Sequence, residues 1–338
     1  MTTLLLSDHD VYALLPMAAC IDVMADALRD LTNGDAVLPL RTILRLGDSP
    51  NAFGSMPAIV GTGITASLGA KVITVFPGND ATPFDAHIGV VLLFDATHGT
   101  LLAIADASSI TAIRTSAVSG LATRCLARDD ASSVAILGAG VLALPHLEAM
   151  CAVRPITRVT VWSRSGAAPG SRAQTFAERA RKQCGINVTV VGSVEAAVRD
   201  ADIVCTITSS RTPVLEGRWL RNGTHVNAVG ASMRTARELD TDAVVRSRLF
   251  GDRRESLLAE SGDILMPIAE GAISERHIVG ELGEVVTGRI PGRGSRDEIT
   301  LFKSLGLAVE DVAALRFIHT QAVSQGRGVT VDLGGRRS

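Results

Sequence analysis

Two textures of apolar and polar positions divide this chain of 338 residues. Up to about residue 106, apolar residues gather in short runs separated by turn residues. Runs at 37–46, 52–60 and 66–76 predict strands, and runs at 87–94 and 101–106 predict a hairpin around Asp95-Ala96-Thr97-His98-Gly99. Ser7-Asp8-His9-Asp10 has the form of a capping box opening a helix to about Asn33. Ser108 or Ser109 is expected to cap a long helix, dominated by small residues, to about Arg128. From residue 131 the pattern alternates. Strands are predicted at 134–137, 158–162, 187–191, 202–207, 224–229 and 248–251, with helical patterns between them, as at 173–184 and 194–200. Helices are expected at 298–305 and 309–323, and a last strand at 328–333 that returns to the first domain. Glycine and charge make 289–296 the expected mobile loop. The fold class that follows is α/β, a Rossmann-type doubly wound parallel sheet beside a β-rich domain.

One segment narrows the chemistry. In Ser132–Ala149 the run 134–137 meets Gly138-x-Gly140-x-x-Ala143, and an apolar helical pattern follows. This is the strand–turn–helix setting of a dinucleotide fingerprint. Gly138 permits the tight turn, Gly140 lets a pyrophosphate approach the backbone, and a small residue at 143 lets helix and strand pack closely. The N–H groups at the helix start, around Val141 and Leu142, would face the phosphates. At the end of the next strand an NAD site usually carries an acidic residue for the ribose 2′-hydroxyl. Here the chain reads Ser163-Arg164-Ser165. A guanidinium can pair with a 2′-phosphate that a carboxylate would repel, so NADPH is expected, with NADH the weaker cofactor.

Composition removes other classes. Hydrophobic residues make up 46% and charged residues 20%, which suits a globular chain. A net charge of −2 and an aromatic content of 3% argue against nucleic acid as a partner. Apolar stretches fall short of the ~18 residues that suggest a membrane span, and no signal peptide is evident. Five scattered cysteines without C-x-x-C fit reduced thiols in the cytoplasm. The seven histidines lack metal-ligand spacing, so no metal is expected.

Three cations in the first region stand among apolar or small residues: Arg41 in LPLRTILRL, Lys71 in LGAKVITVFPGN and Arg114 in ITAIRTSAVSG. Charge in such settings is costly unless paired. If they converge they make a site for a carboxylate or phosphate; separately, each could be a structural ion pair. His87 is a candidate proton donor or a packing residue.

RTILRL, SMPA, GAKVITVFPGN, HIGVVLLFD, ITAIRTSAVSGLAT, the glycine fingerprint, DIVCTITSS, VNAVGAS and DEITLFKSLGLAVED occur in this order. The series, over roughly residues 5–335, resembles the ornithine cyclodeaminase/μ-crystallin family. The resemblance implies a homodimer. It implies a substrate and dimerisation domain from residues 1–118 and 311–338 and an NADP-binding domain from 119–310. It also implies that Arg41, Lys71 and Arg114 bind an amino- or imino-acid carboxylate, with Lys71 and Arg114 catalytic, and that Met56 lines the pocket. Thr206, Thr208, Ser209, Val229 and Gly230 would lie by the cofactor.

One departure is informative. Cyclodeaminases of this family carry an aspartate after Gly-Ala, where this chain has Ser232 after Gly230-Ala231. A serine is no base near neutral pH. With Arg237-Glu238-Leu239 following, the segment resembles the ketimine reductase branch. The expected activity is NADPH-dependent reduction of Δ1-pyrroline-2-carboxylate or Δ1-piperideine-2-carboxylate to L-proline or L-pipecolate. The alternatives are an ornithine cyclodeaminase, an amino-acid dehydrogenase, and a non-catalytic NADPH-dependent ligand-binding protein.

Overall fold

A computed structural model describes residues 2–335. The chain divides into two compact units, Met1–Arg114 with Gly306–Ser338, and Thr115–Leu305.

The first unit is built on an eight-stranded sheet. Its strands are β1 (Thr2–Leu6), β2 (Ala36–Val37), β3 (Thr42–Arg45), β4 (Ala52–Val60), β5 (Ser67–Val75), β6 (His87–Asp95), β7 (Leu101–Asp106) and β16 (Val329–Asp332). They run in the order β16-β1-β7-β6-β5-β4-β2, with β3 also paired to β4. Only β1 and β7 pair in parallel. Residues 52, 54, 56, 58 and 60 of β4 are buried while 53, 57 and 59 are exposed, the period of a strand with one covered face. Helix α11 (Ala308–Gln325) crosses β4, β5 and β6 on that face, and α2 (Met17–Asn33) packs on α11.

The second unit holds eight parallel strands in the order β10-β9-β8-β11-β12-β15-β13-β14. These are β8 (Ser133–Leu137), β9 (Arg158–Trp162), β10 (Val188–Val190), β11 (Ile203–Thr206), β12 (His225–Ala228), β13 (Ser247–Gly251), β14 (Ile278–Glu281) and β15 (Ile299–Lys303). The chain builds outward from β8 through β9 to β10, then returns to place β11 on the other side of β8. That reversal is the point at which a doubly wound sheet opens a crevice at its carboxyl ends.

Several expectations change. The helix from Ser7 is two helices, α1 (Asp8–Leu14) and α2, because Pro16 has no N–H to continue the first. The capping box at its start is present: Ser7 Oγ accepts from Asp10 N and Asp10 Oδ2 from Ser7 N. The run 37–46 is β2 and β3 with Arg41 between them, Pro39 interrupting the ladder. The cap of α3 (Ala107–Leu126) is Asp106, whose Oδ1 accepts from Ser109 N at 2.7 Å. Residues 298–305 are not a helix. They hold β15 (Ile299–Lys303), buried at every position, and a strand covered on both faces shows no alternation to separate it from a short helix. Strands β1 and β14 were not anticipated. The loop 289–296 is pinned: Arg293 donates to Leu126 O at 2.8 Å and Thr300 Oγ1 at 2.9 Å.

At the amino ends of β8 and β11 one carboxylate ties the second sheet together. Asp202 Oδ2 accepts from Ser132 N at 3.0 Å, Ser133 N at 3.1 Å and Ser133 Oγ at 2.7 Å, and Oδ1 pairs with Arg128 and Arg221. Asp202→Ala therefore leaves buried donors unmet and is expected to lower unfolding free energy by about 1–3 kcal/mol. Urea denaturation measures it; an unchanged midpoint would refute it.

Candidate active site

In the first unit, Lys71 lies on the covered side of β5, across from Met56 of β4 and Val91 of β6. It is 2% exposed. Arg114, in α3, is buried as well. A charge so placed requires a counter-charge. Both cations find it in the first turn of α11. Lys71 Nζ is 2.9 Å from Asp311 Oδ2. Arg114 Nε donates to Asp311 Oδ1 at 2.9 Å, and its Nη1 to Glu310 Oε2 at 2.7 Å. The two carboxylates, fully buried, balance the two cations. Acidic residues in a first turn also suit the helix dipole. The guanidinium lies so close to Gly306, whose φ is +81°, that a Cβ there would sit 2.5 Å from Nη1.

Burial, followed by the Arg114 charge, pushes the Lys71 pKa down to about 8, although Asp311 and Glu310 pull upward. Lys71 can therefore give up a proton near neutral pH. Met56 is buried beside it in the strand register. Arg41 is half-buried in the link between β2 and β3. His87 opens β6 as an exposed residue, although protein atoms lie densely around its ring. Its pKa is lowered, first by the atoms crowded around the ring and then by Lys71, with Arg114 and Arg41 adding to the effect and Asp85 opposing it.

Glu310 and Asp311 escaped the sequence reading. The available signal was electrostatic. Two cations in apolar segments demand anions, and Gly306-Leu307-Ala308-Val309-Glu310-Asp311 puts two carboxylates at the start of a helix whose next four residues, Val312–Leu315, are apolar.

In the second unit, Gly138 follows β8 with φ +112°, and its N–H donates to Trp162 O at 2.9 Å. A Cβ at Gly138 would stand 2.7 Å from Ile207 O, so the turn needs glycine. Beyond it the backbone is open. A Cβ at Gly140 would meet nothing within 4 Å, and Val141 is 72% exposed. Helix α4 (Ala143–Val153) starts after Leu142 without a side-chain cap; Ala143 N–H donates to Gly140 O at 3.1 Å, and Pro145 has no N–H, so the N–H of Leu144 and the glycine-turn backbone before it are what the first turn offers an anion. These features fit a dinucleotide pyrophosphate. At the end of β9, Arg164 and Ser165 are exposed, and Ser163 Oγ lies 2.9 Å from Ser165 Oγ.

The loops after β11 and β12 carry the remaining candidates. Ser209 and Ser232 are exposed, Thr208 and Gly230 are half-buried, Val229 is nearly covered and Thr206 is fully buried. Thr206 and Thr208 both direct their hydroxyls to Glu238, at 2.9 and 2.6 Å. Glu238 appeared in the sequence only as part of a motif; its spacing does not disclose which donors it meets.

Among the described residues, no cluster of three His, Cys, Asp or Glu side chains forms a metal site, and no single helix is long and apolar enough to cross a membrane.

The sequence pattern of the ornithine cyclodeaminase/mu-crystallin family matches residues 1–326. A Delta(1)-pyrroline-2-carboxylate reductase of Bacillus cereus is 35% identical over 330 residues, 97% of this chain and 99% of that protein. The ketimine reductase mu-crystallin of Mus musculus is 37% identical over 287 residues, 85% of this chain and 86% of that one. The structure of Thermococcus litoralis Delta(1)-pyrroline-2-carboxylate reductase in complex with NADH and L-proline superposes with a TM-score of 0.93 at 40% identity, over 97% of this chain and all of that one. With a family match over nearly its whole length and relatives of this identity, the chain belongs to the ornithine cyclodeaminase/mu-crystallin family.

Proposed function

We propose that this protein reduces small cyclic ketimine carboxylates, Δ1-pyrroline-2-carboxylate and Δ1-piperideine-2-carboxylate, to L-proline and L-pipecolate with NADPH. The observation that carries this reading is the buried Lys71–Asp311–Arg114–Glu310 cluster in a chain that also holds an open dinucleotide fingerprint. Two relatives that match most of the chain are reductases of this substrate class.

In this reading Arg41 and Arg114 hold the substrate carboxylate, and the pocket wall includes Met56. Lys71 hydrogen-bonds at the imine nitrogen and supplies its proton, which makes the ring carbon electrophilic. A bound nicotinamide supplies the hydride. The C=N bond gains one hydride at carbon and one proton at nitrogen, and Lys71 is reprotonated from solvent. His87, whose pKa lies below the ordinary histidine value, holds little proton at neutral pH and is the weaker candidate for proton delivery. Gly138, Gly140, Val141 and Leu142 would hold the pyrophosphate, and Arg164 with Ser163 and Ser165 would hold the 2′-phosphate. Thr208, Ser209, Val229 and Gly230 would lie on the nicotinamide side of the site. Positioning supplies much of the rate.

Ser232 separates this reading from cyclodeamination. Its hydroxyl cannot take a proton from a substrate ammonium at neutral pH. The purified protein is therefore expected to consume NADPH with either cyclic ketimine and to form no proline from ornithine and oxidised cofactor. Rapid proline and ammonia release would overturn the assignment. Lys71→Ala and Arg114→Ala should each cost ~2–5 kcal/mol in kcat/KM for the ketimine and leave NADPH binding intact. Because the ammonium form of Lys71 is the donor, kcat/KM should fall as pH rises through about 8. A profile flat to pH 10 would exclude Lys71 as the donor.

The cofactor preference is tested by kinetics. NADPH should exceed NADH by at least about tenfold in kcat/KM, or ~1.4 kcal/mol. Arg164→Ala should remove that advantage and leave NADH turnover nearly unchanged; equal use of both by the parent protein would refute the 2′-phosphate reading.

A homodimer is supported by the uncovered face of the first sheet. Pairing register puts Leu44, Phe53 and Ile88 in one outward row, joined through Thr74, and Val37, Ile59, Leu68 and Phe94 in another. Leu44, Phe53, Ile88, Val37 and Ile59 are all exposed. A contiguous apolar face of this kind fits a second copy of itself. Light scattering is expected to give twice the chain mass, and Phe53→Glu with Ile59→Glu to give a monomer.

A further inference from the structure

Glu238 is completely buried, as are Asp263 and Lys303. The Glu238 carboxylate reaches two loops at once. Oε1 accepts from Thr208 N and Thr208 Oγ1, both at 2.6 Å, in the loop after β11. Oε2 accepts from Thr206 Oγ1 at 2.9 Å, and from Gly230 N at 2.7 Å and Ala231 N at 3.2 Å in the loop after β12. The residue is itself held. Asp263 Oδ1 accepts from the N–H groups of Glu238 and Leu239 at 2.8 and 3.0 Å. Asp263 Oδ2 lies 2.8 Å from Lys303 Nζ, which donates to Ala231 O at 2.6 Å. The circuit Ala231–Glu238–Asp263–Lys303–Ala231 is closed, and it fastens the carboxyl ends of β11, β12 and β15 to one another.

Two features separate this cluster from ordinary packing. It buries two carboxylates with one ammonium, an arrangement that apolar residues of the same shape would often replace without loss of stability. It also compresses the loops: a Cβ at Gly230 would stand 2.1 Å from Thr208 O and 2.7 Å from Glu238 Oε1. Carboxyl-end loops beside the switch point of a doubly wound sheet are where such folds bind nucleotides.

We propose that Glu238, locked by Asp263 and Lys303, is the positioning residue that sets the nicotinamide end of the cofactor site. It acts through Thr208 and Gly230 and touches neither cofactor nor substrate. This rests on the cofactor reading above. Geometry at the reacting ring depends on it, and the adenosine end, held after β8 and β9, does not.

The test compares two probes by fluorescence or calorimetric titration: NADPH, and 2′-phospho-ADP-ribose, which lacks the nicotinamide. In Glu238→Gln one acceptor oxygen becomes a donor facing other donors. NADPH should bind about tenfold more weakly and kcat should fall about 100-fold, since small misplacements at a reacting centre cost this much. The fragment should bind as it does to the parent, within about twofold. Thr206→Val, an isosteric loss of one donor, should shift the same way by less, and Thr206→Ser should restore the parent values; this pair keeps the test alive if Glu238→Gln does not fold. Equal weakening of both probes would make Glu238 a general scaffold residue and overturn the proposal. So would parent-like binding of both. A parent protein that binds no nicotinamide dinucleotide overturns the cofactor reading itself, and this inference with it.

Discussion

Charge that cannot reach water governs the first unit. Lys71 sits on a strand and Arg114 on a helix, each nearly without solvent, and neither is tolerable without an anion. Asp311, 197 residues beyond Arg114, serves both, and Glu310 completes the balance. The first turn of α11 must therefore lie over β5 at the level of Lys71, and Gly306 must precede it, because any side chain there would displace the guanidinium. The sheet, the C-terminal helix and the return of the chain to the first unit are arranged around this four-residue cluster.

The same cluster tunes Lys71. A lysine in water would stay protonated far above neutral pH. Burial and the neighbouring guanidinium bring Lys71 to about 8, while Asp311 keeps the ammonium from being lost altogether. The opposing effects leave a group that is charged at neutral pH and close to releasing its proton. That suits delivery of a proton to an imine, where the donor must be present and also willing to give.

The second unit applies a related solution to loops. Backbone N–H groups at the ends of β11 and β12 would otherwise need water, and Glu238 takes several of them into one carboxylate. Burial and the Asp263 charge raise its pKa, and Lys303 and the bonds from Thr208 oppose them. Both units thus use buried anions, supplied from a different element, to hold the cations or backbone donors they meet.

What the sequence determined by itself was local. The fingerprint from β8 to α4 is legible because turn, strand and helix start are adjacent, and Gly138 meets a constraint of its own backbone. Lys71 and Arg114 stand out because charge within apolar runs is visible in one dimension, whereas Ser232 stands out only through the resemblance to cyclodeaminases, which carry an aspartate after the same Gly-Ala. The alternation of strand and helix disclosed the doubly wound sheet. Tertiary structure decided the rest. Residues 299–303 became a central strand because neighbours on both faces erase the alternation that marks a strand. Asp311 and Glu310 became partners of the two cations, and Glu238 the tie between two loops, because a counter-charge is selected by packing in three dimensions. Spacing along the chain carries no record of which anion a buried cation will meet.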